Sequence, residues 1–277
     1  MADDTITAET HRESTGTAQE LFLSLLWLGT TLYVAYASLG QAPTPGGALG
    51  AAREAMPDLI LSSLVAGASL GAAAGSRFRG PGGRLLAGPG IGFAFGLVAA
   101  VAMRMVYGTQ PPITVLALTV GLTTIVGGAV AILPAEIVGG GLWAMTWVAF
   151  LGVMFPVWLL GLGDDSFLAD TRLQAVVKGV VGLYALQHLR GERHPWYWYP
   201  LAGALPGLLL LIAELLTRFG GSVLTNLIHG AASGSQPLLA PSAERLQVAV
   251  IVLAVGGAVC VVASIRTLAR SPEPAED

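Results

Sequence analysis

From residue 19 onward the chain is a succession of apolar runs, each close to the same length and separated by short breaks rich in polar residues, Gly and Pro. Eight runs are delimited: 19 to 40, 56 to 76, 85 to 106, 113 to 133, 137 to 161, 172 to 189, 197 to 219 and 246 to 267. A helix needs about 20 apolar residues to cross a bilayer core. Lipid offers the backbone no hydrogen-bond partner, so a spanning segment must satisfy its own amides. The pattern predicts an all-α integral membrane protein of about eight transmembrane helices. The sixth run is the weakest, because it carries Lys178 and ends in Gln187 and His188.

Landmarks within the runs recur in order. Glu20, Trp27, Val-x-Gly at 65 to 67, Arg79-Gly80, Leu-Ala-Gly-x-x-x-Gly at 86 to 92 and Val-Gly-Gly-Ala-Val at 126 to 130 come first. They return as Glu136, Trp143, 177 to 179, Arg190-Gly191, 201 to 207 and 255 to 259. A chain with 37 Gly produces short matches by composition, so the shared order carries the argument rather than any one match. The expected organisation is two tandem four-helix repeats, 19–134 and 135–268, flanked by disordered tails at 1–18 and 269–277. Four helices return the chain to its starting side, so the copies run parallel and are related by an axis along the membrane normal.

Composition agrees with the pattern. Hydrophobic residues make up 54% and charged residues 11%, against about a quarter charged in a soluble domain. Arg77, Arg79 and Arg84 follow the second run, Arg190 and Arg193 the sixth, and Arg266 and Arg270 the eighth. The opposite loops hold Glu54 and Asp58, then Asp164, Asp165 and Asp170. Basic loops stay cytoplasmic, which predicts a cell-membrane protein with both termini inside. Ala35-Tyr36-Ala37 resembles a signal-peptide cleavage site, but Asp3, Asp4, Glu9 and Glu13 precede it against one Arg, so the first run is read as retained. Thirteen Arg against one Lys, with abundant Ala, Gly and Val, points to a GC-rich, prokaryotic coding sequence. A net charge of -3 without a basic cluster excludes a nucleic-acid surface. A single cysteine, Cys260, excludes an internal disulfide and a cysteine metal site.

Glycines at 67, 71 and 75, and at 88, 92 and 96, share one face of their helices and predict a tight hairpin between the second and third runs. The second copy keeps only Gly179 with Gly182 and Gly203 with Gly207, so a hairpin that is looser, or filled by larger side chains such as Tyr184, is expected there. The aromatics from Trp196 to Tyr199 suit an interfacial anchor. Residues 222 to 243 are expected to form the longest external connection, with the apolar stretch Val223 to Ile228 lying along the surface or re-entering it.

Charges inside spanning helices cost about 2.5 to 3.5 kcal/mol each at the bilayer centre. Lys178, Glu214, Arg218 and Arg104 are therefore the candidate solute-binding residues. Glu214 and Arg218, four apart, share a helix face and can pair. In the functional reading Glu214 binds solute or relays a proton, Lys178 is its counter-charge, and the two arginines form an outer rim, all at the seam between copies. In the competing reading the arginines snorkel to headgroups and Glu214 is merely neutralised. Thr114, Thr119, Thr123 and Thr124 form a possible hydroxyl stripe, which their own helix can satisfy. Pro89, Pro156 and Pro206 are positioned to interrupt helices. Asp164, Asp165 and Asp170 resemble the acidic pattern that holds magnesium and diphosphate in membrane prenyltransferases, but a single cluster lacks converging carboxylates and reads as a solvated turn. The histidines, His11, His188, His194 and His229, show no ligand spacing. No catalytic residue, metal or cofactor is expected.

The expected function is a permease or channel-like transporter of a small solute. The first alternative is an accessory subunit packed with other membrane subunits or in a homo-oligomer, and the second an intramembrane lipid-modifying enzyme. The expected partners are the bilayer, a small solute and possible membrane subunits, with no nucleic acid.

Overall fold

A computed structural model describes residues 2–40, 45–78, 81–108, 111–130, 132–160, 171–189, 195–229 and 243–268, and among these there is no strand. Three helices open on proline, whose fixed φ and missing N–H suit a first helical position: α2 (Pro45–Gly75), α3 (Pro81–Tyr107) and α4 (Pro111–Val130). They follow α1 (Ala2–Gly40) and precede α5 (Ala135–Leu160). The sixth apolar run is a broken element: α6 (Thr171–Val180), a 3₁₀ turn (Val181–Tyr184) and α7 (Ala185–His188). Two long helices, α8 (Trp198–His229) and α9 (Ala243–Leu268), complete the described chain. Gly108 ends α3 with φ 88°, the left-handed conformation glycine adopts without strain, while its N–H donates to the Arg104 carbonyl at 3.1 Å.

Six stretches are long and apolar enough to cross a membrane: Ala18–Gly40, Gly50–Gly75, Gly82–Val106, Ile113–Val130, Trp198–Gly220 and Ala243–Ile265. Several helices could thus cross a membrane, consistent with the multi-pass character expected from the hydropathy pattern. The apolar stretch described in α5, Ala135–Leu151, is shorter. The sixth run yields three pieces instead of one spanning helix.

Several boundaries differ from expectation. α1 begins at Ala2, taking in residues 2–18 that the sequence reading assigns to a tail. That segment is rich in Ala, Glu and Thr around one Pro-free stretch, and extending an existing helix costs no new nucleus. α8 continues to His229, so Val223 to Ile228 prolong a helix and do not form a connection. Gly220 and Gly221 each disfavour helix by only about 1 kcal/mol, less than is needed to end it. Helices also run on through Pro57, Pro89 and Pro206, so the expected interruptions at 89 and 206 are not chain breaks.

The chain divides into two compact units, one of Met1–Val138 with Leu209–Ser242, the other of Gly139–Leu208 with Ala243–Asp277. The second half of α8 groups with the first unit.

In the first unit α2 is central, packed by α1, α3 and α4 and burying Leu59, Ile60, Leu64, Val65 and Ala66. Glycine sets how closely these helices approach. A methyl on Gly67 or Gly92 would overlap the Thr124 backbone, and one on Gly127 would overlap the Leu64 carbonyl. A methyl on Gly128 would strike the Gly88 carbonyl. The glycine faces of α2 and α3 therefore close on α4, which is itself thinned by Gly121, Gly127 and Gly128. Outward-facing Phe22, Tyr33, Phe93, Leu97 and Met105 on α1 and α3 present the apolar surface a bilayer would cover.

The second unit closes the same way. Gly182 would set a Cβ 2.9 Å from the Gly203 carbonyl oxygen and 3.1 Å from the Gly256 Cα. Gly179 abuts Val255, Gly203 abuts Gly256 and Cys260, and Gly207 abuts the Leu253 backbone. The looser packing expected of this half is not found. Three small residues meeting at one point let α8, α9 and the 3₁₀ turn touch backbone to backbone. The Cys260 thiol donates to the Gly182 carbonyl at 3.2 Å. Tyr184 lies outside this junction, stacked on Trp147 of α5 at 5.1 Å between ring centroids.

Candidate functional site

The hydroxyl stripe of α4 resolves into local bonds. Thr119 Oγ1 donates to the Val115 carbonyl at 2.8 Å, Thr123 Oγ1 to the Thr119 carbonyl at 2.8 Å and Thr124 Oγ1 to the Val120 carbonyl at 3.0 Å. Each buried hydroxyl satisfies itself within one turn, as threonine does in helices without solvent. One bond crosses between helices, joining Ser63 of α2 to Thr123 of α4, both fully buried.

The charged part of the site lies on the half of α8 belonging to the first unit. A Cβ on Gly220 would stand 3.5 Å from the Met56 sulfur and 3.9 Å from Thr119 Oγ1, which places this end of α8 beside α2 and α4. Thr217, one turn earlier, is buried and donates to the Ala213 carbonyl at 2.7 Å. Glu214 is buried as well, with 9% of its side chain exposed. Arg218 Nε donates to Glu214 Oε1 at 3.3 Å, and 35% of the arginine side chain is exposed. An uncompensated carboxylate in this apolar setting would be expensive, and the arginine one turn away offsets that cost.

The contact is one-sided. Nε of the guanidinium makes it, and among the described residues the two terminal nitrogens make no hydrogen bond. Glu214 thus holds the arginine at Nε, and the guanidinium keeps further N–H donors beyond that contact.

Of the four residues expected from the sequence, these two come together. Arg104 is exposed in the last turn of α3 in the first unit. Lys178 is half-buried in the last turn of α6 and belongs to the second unit. Asp164, Asp165 and Asp170 lie outside the described residues. No group of three metal-ligating side chains occurs among the described residues. Sequence reasoning missed Thr217 and Gly220, although their three-residue steps from Glu214 were available as a signal. It also missed Trp147, whose buried indole nitrogen has no hydrogen-bond partner among the described residues.

No family model, curated protein or solved structure matches this chain.

Proposed function

We propose that this chain is a permease or channel-like protein of the cell membrane that moves a small solute. It has eight spans, arranged as two tandem four-helix copies, with both termini cytoplasmic. The observation that carries the transport reading is Glu214, a buried carboxylate on an apolar helix, whose contact among the described residues is to Arg218 at 3.3 Å. A charge kept inside a membrane helix at a cost of a few kcal/mol marks a functional position by default. Glu214 is the solute or proton site in this reading, Arg218 and Arg104 form its outer rim, and Lys178 is a further embedded charge.

Corresponding contacts support the duplication. Gly92 meets Thr124 in the first unit, and their sequence equivalents Gly207 and Leu253 meet in the second. Gly88 meets Gly128, while its equivalent Gly203 meets Gly256, one position from the equivalent of Gly128. The polar groups do not follow this equivalence: Ser63 and Thr123 correspond to Ala175 and Val252, both buried and apolar. Function on this reading is asymmetric.

A second reading, an accessory subunit of a membrane complex, is favoured by the closed glycine junctions and by hydroxyls that bond their own helices. One experiment separates the two. The purified chain is reconstituted in liposomes, and shrinkage and recovery are followed by stopped-flow light scattering in gradients of glycerol, urea, acetate and alanine. A permease accelerates recovery for at least one solute over protein-free vesicles. No acceleration, together with co-purification of a stoichiometric membrane partner, establishes the subunit.

A further inference from the structure

We infer that Arg218 is an oxyanion receptor, with Glu214 as its positioning residue. The geometry is a guanidinium engaged at Nε by a carboxylate one turn back, at 3.3 Å, with its two terminal nitrogens free of described partners. A guanidinium is planar, so fixing Nε fixes the direction in which the outer pair of N–H donors points. That outer pair matches the spacing of two oxygens on a carboxylate or phosphate and binds them side by side. The burial gradient agrees: 9% of the Glu214 side chain is exposed against 35% for Arg218, so the anchor is inside and the receptor reaches outward. Arg218 lies in the apolar stretch Trp198–Gly220 of α8.

Arg104 provides an internal comparison. It ends the corresponding apolar stretch of α3, but the residue four positions earlier is Ala100, so no carboxylate orients it on its own helix. An exposed arginine at a helix end with no carboxylate to orient it presents no fixed fork. The oriented one is a receptor. The ligand chemistry is an oxyanion, supplied by a phospholipid headgroup or by a small free anion. The inference uses the same pair as the proposed permease site but does not depend on transport.

The test uses the full chain purified in neutral detergent and two probes. Native mass spectrometry counts bound phosphatidylglycerol, and calorimetric titration measures inorganic phosphate. Saturable binding of at least one probe is expected, weakened roughly tenfold by Arg218→Lys, which keeps the charge and loses the fork. Glu214→Gln weakens it by a similar factor. Lipid binding alone identifies the headgroup as the source, and phosphate binding identifies a free anion; either supports the receptor. In the unmodified protein, the bound probe also protects Arg218 from phenylglyoxal, a readout independent of whether a variant folds. The inference is overturned if neither probe saturates, if Arg218→Lys binds as well as wild type, or if phenylglyoxal modifies Arg218 equally with and without probe. Because flux plays no part in these readings, a failed receptor and a failed permease are told apart.

Discussion

Arg218 reaches back one helical turn to Glu214, its Nε donating to Oε1 at 3.3 Å, so the most deeply placed carboxylate described on α8 carries its own counter-charge. The partial exposure of the arginine limits what this is worth. A double-mutant cycle of Glu214→Gln and Arg218→Gln should return a coupling of about 0.5 to 1 kcal/mol in detergent unfolding. A coupling near zero would mean that the pair is not formed in solution.

Gly92 and Gly90 stand two residues apart on α3 and predict opposite responses. A methyl on Gly92 overlaps the Thr124 backbone, whereas one on Gly90 meets nothing within 4 Å. Gly92→Ala should lower stability by about 1 to 3 kcal/mol, the range of overpacking against an unyielding neighbour. Gly90→Ala should be neutral or slightly stabilising, since alanine favours helix. Thermal melts of the two variants decide the matter, and equal melting temperatures would remove the close approach from the account.

The Ser63–Thr123 bond predicts non-additivity. Ser63→Ala or Thr123→Val alone removes the interhelical bond, the surviving hydroxyl staying bonded to its own helix, and should cost about 1 kcal/mol. The double variant should cost less than the sum of the singles, because the interhelical bond is lost only once. Strictly additive losses would show that the two hydroxyls act independently.

Trp147 keeps its indole nitrogen buried without a partner among the described residues, while its ring stacks on Tyr184. Trp147→Phe should therefore leave stability unchanged or raise it, since it deletes an unsatisfied donor and keeps an aromatic ring. Trp147→Ala should cost about 3 kcal/mol or more. Chemical denaturation of both variants is the check; a Phe variant as unstable as the Ala variant would point to an unrecognised acceptor.

Topology has its own test. Reporter fusions after residues 80 and 192 should read cytoplasmic, and those after 110 and 165 external, if eight spans alternate across the membrane. A cytoplasmic reading at 165 would reduce the number of spans.

The helical character, with stretches long and apolar enough to cross a membrane, was legible because burial in lipid calls for long apolar runs, and the six stretches fall within or close to runs read from hydropathy alone. The pairing of Glu214 with Arg218 was legible from their spacing. What the sequence hid was the partner of each glycine face. A stripe such as Gly67, Gly71 and Gly75 says that a backbone comes close, but not whose, and Thr124 of α4 was not marked as the common neighbour of Gly67 and Gly92. The extension of α8 past Gly220-Gly221 was hidden for a related reason, since glycine weakens a helix without specifying where it ends. Lys178 and Glu214 stood out equally as embedded charges, yet they fall in different compact units. That assignment depends on where the second half of α8 packs, which no local pattern encodes.

The permease reading is tested most directly by the effect of Glu214→Gln on solute flux through reconstituted vesicles, using the solute that wild type transports fastest. The substitution keeps size and hydrogen-bonding capacity and removes the charge. The expected result is a loss of at least roughly tenfold in flux, equivalent to about 1.4 kcal/mol, with melting temperature and vesicle incorporation close to wild type. Undiminished flux through a folded Glu214→Gln protein would contradict the assignment of the site.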